Sequence, residues 1–397
     1  MALLKDLTVD GKGYYGIGAS AVEKRDDLYT YLRITDIRDD GTLNMDDLKS
    51  VADPDAGKYL LKPNDIVFAR TGASTGRNYF YDGSDGVFVY AGFLIKFSID
   101  PQKVNPRYIK YYCQSVQYRN WISSFMTGST RGNINAQTLG NMEIPLPTRK
   151  QQDFLVNMLD PLSAKIKQNT QINDNLQQQT QAIFSAWLAT HAPNANKVTL
   201  GRICLKVTDG SHFSPKDEPS AKIPMLSVKD MEEFDFNLDS CKHISAEDYQ
   251  KMVVNDCVPQ VNDILVAKDG SYLKEIFICN EQRELAILSS IAIFRPDTSK
   301  IYPEILLAFL KSPRVLQEVR DNYVSGSALP RIVLKDFKKL QFLLPDLEAQ
   351  GEIAPLLAAI RSQIAVNVAE NQRLSQLRDS LLPKLMSGEI DVSNIQL

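Results

Sequence analysis

Between residues 149 and 189 the chain is rich in glutamine, and Leu155, Leu159, Leu162, Ile166, Asn169, Asn173, Leu176, Thr180, Ile183 and Trp187 stand alternately four and three apart. That spacing is the heptad of a helix with one buried seam. It returns 198 residues later at Ile353, Leu357, Ile360, Ile364, Asn367, Asn371, Leu374, Arg378, Leu381 and Leu385. Two amphipathic helices packed on their own domains would account for the apolar positions, but not for two asparagines at one phase in both copies. Buried asparagine is costly unless paired, and its best-attested use is to fix register. Antiparallel helices would set Asn169 against Asn371 and Asn173 against Asn367. Pro161 and Pro355 are expected to start or kink the main helices, since proline removes a backbone donor. About 28 residues then remain, roughly 40 Å at 1.5 Å per residue. Leu385 lies past Pro383, at the edge of the pattern.

The same offset runs through the rest of the chain. Asn64-Asp65-Ile66 recurs as Asn262-Asp263-Ile264, Gly72 as Gly270, Gly128-Ser129 as Gly326-Ser327, and Pro147 as Pro345. A period this long is a duplicated domain rather than a solenoid, whose units run about 20 to 50 residues. Each copy opens on a glycine-containing loop, Gly11–Gly16 or Asp209–Pro215, and continues through a strand-like segment, Tyr31–Ile37 or Met225–Met231. A polar turn then launches an apolar run, Ile66–Ala69 or Ile264–Ala267, that reads as a buried strand followed by a glycine. Val87–Phe97 and Ala286–Phe294 are β-rich, and each precedes a helix begun by proline, Pro106 or Pro303.

These patterns predict an α+β fold of two pseudo-two-fold-related globular α/β domains separated by two long helices in an antiparallel coiled coil. The predicted divisions are residues 1–147 and 198–345 for the domains, 148–197 for a central helical spacer and linker, and 346–397 for a C-terminal spacer.

Composition changes little in this picture. Hydrophobic residues make up 44% and charged residues 23%, as in ordinary globular proteins. No apolar run is long enough for a membrane span and the first residues show no export pattern, so a cytoplasmic protein is expected. The five cysteines are odd in number and lack close pairs, which suits reduced thiols better than disulfides or a zinc site. A net charge of −3 gives no global signature of nucleic-acid binding, so any DNA surface must be local.

Three short motifs point toward enzymes. Gly11-Lys12-Gly13-Tyr14-Tyr15-Gly16 has dinucleotide-binding spacing but no convincing helix after it, and the second copy lacks it. Gly72-Ala73-Ser74-Thr75-Gly76 has the spacing of a nucleophile elbow, yet a strand-like segment follows where a helix is needed. Asn105-Pro106-Arg107-Tyr108 has part of an adenine-methyltransferase motif and is fully explained as a capped helix start. The aromatics Tyr108, Tyr111, Tyr112, Tyr118, Trp121 and Phe125 suit a core better than a base-stacking surface.

The ordered set of segments is more informative than any of these. Asp209–Pro215, Ile223–Met231 and Ile244–Tyr249, with Leu32–Ile37, Asn64–Gly72 and Ile144–Pro147, resembles the specificity (S) subunit of type I restriction-modification systems over essentially the whole chain. The resemblance implies two target-recognition domains, each reading half of a split double-stranded DNA site. It also implies helices that dock two methyltransferase (M) subunits, with restriction (R) subunits joining that core. The chain itself would then be non-catalytic and without cofactor. S-adenosylmethionine would sit on M, and ATP and Mg on R. The second copy departs from the pattern at Lys268-Asp269-Gly270-Ser271-Tyr272-Leu273-Lys274, where the second loop glycine is missing.

DNA contacts need cations for phosphates, and arginine, asparagine or glutamine for bases. On loops of the first copy the candidates are Lys12, Arg33, Arg70, Ser74, Thr75, Arg77, Arg131 and Asn133. In the second copy they are Ser211, His212, Lys229, Lys268, Ser271, Lys274 and Arg331. Two readings stay open beside the type I subunit: a type IIB-like specificity subunit, and a coiled-coil scaffold with no DNA role.

Overall fold

The structure is a computed structural model and describes residues 1–45, 47–125, 133–239, 241–270, 273–325, 331–387 and 389. It divides into two compact units, Met1–Ile166 with the chain from Arg373 onward, and Lys167–Gln372. Each unit holds one globular domain of mixed strands and helices, together with part of each long helix, Arg149–His191 and Leu347–Ser387.

The first domain is built on two sheets. In one, Tyr14–Tyr15, Leu94–Ser98, Asp65–Ala69 and Asn78–Tyr81 lie side by side in that order, all antiparallel. In the other the order is Ala21–Val22, Lys49–Val51, Tyr29–Leu32 and Phe88–Tyr90, the last pair parallel. Only Ala91-Gly92-Phe93 joins Phe88–Tyr90 to Leu94–Ser98, so the chain crosses from sheet to sheet there. The second domain has the same plan. Cys204–Asp209, Ile291–Pro296, Ile264–Ala267 and Ile276–Ile278 form one sheet, and Lys242–Ile244, Ile223–Leu226 and Ala286–Ile287 the other, its last pair again parallel. Leu288-Ser289-Ser290 is the crossing.

The recurring Asn-Asp-Ile triplet has a physical explanation. Asn64 and Asn262 take φ of 75° and 71°, the left-handed conformation that asparagine tolerates better than most residues. The following aspartates fold back on the turn, accepting from Lys62 N and Gln260 N at 2.8 Å each. Ile66 and Ile264 follow in central strands and have no exposed surface, which is why these strands read as unbroken apolar runs.

The absent second glycine is replaced by a strained leucine. Gly76 donates its N–H to Ala69 O at φ 89°, and Leu273 makes the same bond to Ala267 O at φ 57°. A leucine in that conformation costs about 1–2 kcal/mol. Its buried side chain, in the main core of the second domain, offsets the cost.

Helix starts follow the sequence signals. Asn105 Oδ1 accepts from Arg107 N at 3.0 Å, capping Pro106–Tyr112, and Pro303 opens its counterpart Pro303–Leu310. Tyr108, Tyr111, Tyr112 and Tyr118 are core, Trp121 is partly buried against it, and Phe125 is exposed. Gly11–Gly16 runs into the short strand Tyr14–Tyr15, and Gly72–Ser74 is a single tight turn before the strand Asn78–Tyr81. Neither has the helix that its enzymatic reading needs.

The long helices are longer than expected, and the two prolines do not start them. They begin at Arg149 and Leu347 and carry Pro161 and Pro355 inside them, for 43 and 41 residues or about 62–64 Å each. Helix also continues through Pro383, so Leu385 lies within it. An internal proline costs roughly 3 kcal/mol. Both helix starts are pinned firmly enough to absorb that. Gln152, buried, accepts from Asn105 N at 2.8 Å and donates to Pro147 O at 2.8 Å. Gln350, also buried, accepts from Tyr302 N at 3.1 Å and donates to Lys300 O and Pro345 O at 3.0 and 2.9 Å. Leu155, Val156 and Leu159 then enter the first domain's core, as Ala354 and Leu357 enter the second's.

In the second unit, Asn169 Nδ2 donates to Asn371 Oδ1 at 2.9 Å and Asn367 Nδ2 donates to Asn173 Oδ1 at 2.8 Å. One number rises as its partner's falls, so the helices are antiparallel here. In the first unit Leu382 joins the same core as Leu155 and Leu159, with Leu162, Leu381 and Leu385 packed against it. Among the described residues no helix is long and apolar enough to cross a membrane.

Candidate nucleic-acid interface

The sheet crossings gather the most informative side chains. Gly16 N–H bonds Leu94 O at 3.2 Å, and Gly210 N–H bonds Ile291 O at 3.0 Å. A Cβ on either glycine would come within 2.3 Å of a carbonyl oxygen in the crossing strand, at Tyr90 and Ala91 or at Ile287. No larger residue fits without a shift. Arg70 N–H bonds Phe93 O at 3.0 Å, and Lys268 N–H bonds Ser290 O at 2.9 Å. Ile134 N–H bonds Arg70 O and Ile332 N–H bonds Lys268 O, while Thr71 faces Asn133 and Asp269 faces Arg331.

Four positions therefore match on one backbone frame: Tyr15 with Asp209, Arg70 with Lys268, Phe93 with Ser290, and Asn133 with Arg331. Their chemistry differs at every one. The Arg70 guanidinium lies 5.3 Å from the Tyr15 ring centre and 5.7 Å from that of Phe93. Its polar contacts are long, Nε to Gly92 O at 3.4 Å and Nη1 to Asn133 Oδ1 at 3.5 Å. Among the described residues it has no carboxylate partner. Lys268 instead donates to Asp209 Oδ2 at 2.8 Å, has Asp269 at 3.7 Å, and is nearly buried. Asp209 also lies 3.4 Å from His212 Nε2. The exposed cation at this place in the second domain is Arg331.

The other candidates divide by what holds them. Arg33 is committed to the fold: Nη2 donates to Asp36 at 2.6 Å and to Asp47 O at 2.7 Å, and the Asp36 carboxylate raises the guanidinium's pKa. Ser227 holds the matching buried Asp230 through its hydroxyl at 2.9 Å. Arg77 binds Asp39 through Nε at 2.7 Å and Ile37 O through Nη1. Ser74 and Thr75 are buried in their turn, Thr75 Oγ1 donating to Gly72 O. Ser211 is buried and donates to Phe213 O at 2.7 Å. Lys12, Lys229 and Lys274 are exposed, the last two with Asp230 and Glu275 at 3.8 and 3.5 Å. Arg131 and Ser271 lie outside the described residues.

Of the residues at the crossings, Arg70, Asn133, Lys268 and Arg331 are among the sequence candidates, and Tyr15, Phe93, Asp209 and Ser290 are not. The signal was available in the two glycines that must lie against a carbonyl. Gly16 and Gly210 are 194 residues apart rather than 198, and only that shorter offset sets Tyr15 against Asp209.

The family model described as the type I restriction modification DNA specificity domain matches this chain twice, over residues 23–178 and 194–376. The HindI type I restriction enzyme specificity subunit of Haemophilus influenzae is 21% identical, the match covering 93% of this chain and 97% of that protein. The EcoKI specificity subunit of Escherichia coli K12 is 23% identical over 83% of this chain and 75% of its own. The crystal structure of a type I restriction-modification S subunit from M. genitalium has the same fold, with a TM-score of 0.50 at 16% identity over 97% of this chain and 95% of that one. With two matches that together take in most of its length, the chain belongs to the family of type I restriction-modification DNA specificity subunits.

Proposed function

We propose that this protein reads a bipartite, asymmetric DNA site, one half with each globular domain, and holds two methyltransferase subunits through its long helices. Restriction subunits complete the assembly. Methyl transfer belongs to the M subunits, which carry S-adenosylmethionine and take the target adenine out of the stack, and ATP and Mg belong to R. The chain itself supplies specificity and no catalytic group. The observation that carries the reading is the pair of sheet crossings: one backbone frame, displayed twice, with unlike side chains at all four matched positions. A scaffold with no DNA role has no need of that division between kept frame and changed surface. The paired asparagines support a role for the helices as a spacer held in one register.

Methylation mapping in cells with the gene intact and deleted tests this. Loss of one methylated motif with two unlike halves is the expected result. Removing one heptad from each long helix in step changes the gap between the halves and leaves the halves unchanged. Altered halves at the original gap would refute the spacer role.

A further inference from the structure

We propose that Tyr15, Arg70 and Phe93 form a guanine-reading notch in the first domain. The inference deepens the DNA-recognition reading above and rests on it. Two aromatic faces brace the guanidinium, and both rings remain substantially exposed, at 44% for Tyr15 and 55% for Phe93. Cation–π contact orients such a group without using its hydrogen-bond donors. Of the five N–H donors on arginine, one on Nε and one on Nη1 meet acceptors, both at 3.4–3.5 Å. Among the described residues the two on Nη2 and one on Nη1 meet no acceptor. That is a fork suited to the O6 and N7 acceptors of guanine in the major groove.

A phosphate contact would not need this arrangement. A flexible lysine supplies the charge equally well, whereas fixing the plane of a guanidinium matters only when direction carries information. The second domain shows the contrast. At the matched place Lys268 is neutralised by Asp209, the aromatic residue at 93 is replaced by Ser290, and the exposed cation has moved to Arg331. The notch thus belongs to one half-site only. Asn133, beside the fork, is placed to accept from it or to meet a neighbouring base edge.

The test uses the complex of this chain with its methyltransferase subunits and oligonucleotides carrying the mapped motif. Each guanine of the half-site assigned to the first domain is replaced in turn by 7-deazaguanine, which removes only the N7 acceptor. Wild-type complex should lose roughly 5- to 150-fold in affinity at one guanine. Arg70→Ala, which removes every donor of the fork, should weaken binding to the natural site and become indifferent to the replacement at that same guanine. Phe93→Ser should give a smaller loss at the same position. Equal sensitivity of wild type and Arg70→Ala at every guanine would overturn the notch, as would a first half-site without guanine. The 7-deazaguanine series on wild-type protein requires no variant to fold. If the wild-type complex binds DNA without sequence preference, the recognition reading itself fails. Selective binding with an unaffected Arg70→Ala sinks only the notch.

Discussion

The two globular domains share their sheet crossings and their helix clamps, yet carry different side chains at all four matched positions around the crossings. Asp65 and Asp263 show the rule inside the fold. Both are buried at the head of the central strand and both fold back on the same turn. In the first domain Ser98 Oγ donates to Asp65 at 2.6 Å, with Lys96 at 3.3 Å. In the second, Arg295 grips Asp263 with a two-pronged contact at 2.8 and 2.9 Å. The aspartate is demanded by the turn. Its partner is free to change provided the charge is met.

That comparison can be broken most forcefully at Arg295. Arg295→Ala leaves a buried carboxylate uncompensated and should destabilise the second domain by about 3–5 kcal/mol, while Ser98→Ala in the first should cost about 1 kcal/mol. Urea unfolding of each variant measures both, and equal costs would show that the two aspartates are held alike.

A smaller effect is expected at the turn between two consecutive short helices, Pro106–Tyr112 and Val116–Ser123 in the first domain, Pro303–Leu310 and Pro313–Asn322 in the second. Gln114 and Lys311 each precede the serine in front of the following helix, Ser115 and Ser312. Gln114 Nε2 donates to Asp40 O at 3.1 Å, while Lys311 Nζ donates to Gln177 Oε1 at 3.0 Å and lies 5.4 Å from the Phe234 ring centre. Desolvation lowers the Lys311 pKa, against the opposing pull of Glu233 and Glu275. Below its lowered folded pKa the folded state carries a disfavoured charge. As pH climbs from there toward the ordinary lysine value, the unfolded chain binds more protons than the folded one and stability rises. Lys311→Met should therefore raise the second domain's melting temperature at neutral pH, with a gain that fades toward pH 10.5. A gain that did not vary with pH would assign it to packing rather than charge.

The comparison is sharpened by transplanting the first domain's chemistry. Asp209→Tyr, Lys268→Arg and Ser290→Phe together rebuild the braced arginine on the second frame. A gain of a few-fold in preference for guanine at one position of the second half-site is expected, at the weak end of a base contact. No change in any position would mean that the brace alone does not make a reader.

Much of this architecture was legible in the sequence, for identifiable reasons. The duplication, the buried strands and the asparagine seam are strict repeats of residue type at fixed spacing, and the backbone requires those types. The prolines do not set the helix starts, because the glutamine clamps, Gln152 and Gln350, depend in part on backbone groups far off in sequence, at Asn105, Tyr302 and Lys300. The candidate interface was half legible. Arg70 and Lys268 stand at the kept offset, but loop lengths change the register ahead of Asn64 and again between Tyr81 and the next strand, hiding Tyr15, Phe93 and Asp209. Arg33 and Arg77 look the same as Arg70 in sequence; a local turn gives Arg33 its Asp36, three residues on, and only the tertiary fold gives Arg77 its Asp39.

The central claim is that each domain reads its own half of one site. It is tested most directly by replacing residues 1–147 with the corresponding domain of the Haemophilus influenzae relative and mapping methylated motifs with the cognate methyltransferase subunits present. One half of the motif should change, while the other half and the gap between them stay as in the wild type. Change in both halves, or in neither, would contradict the account.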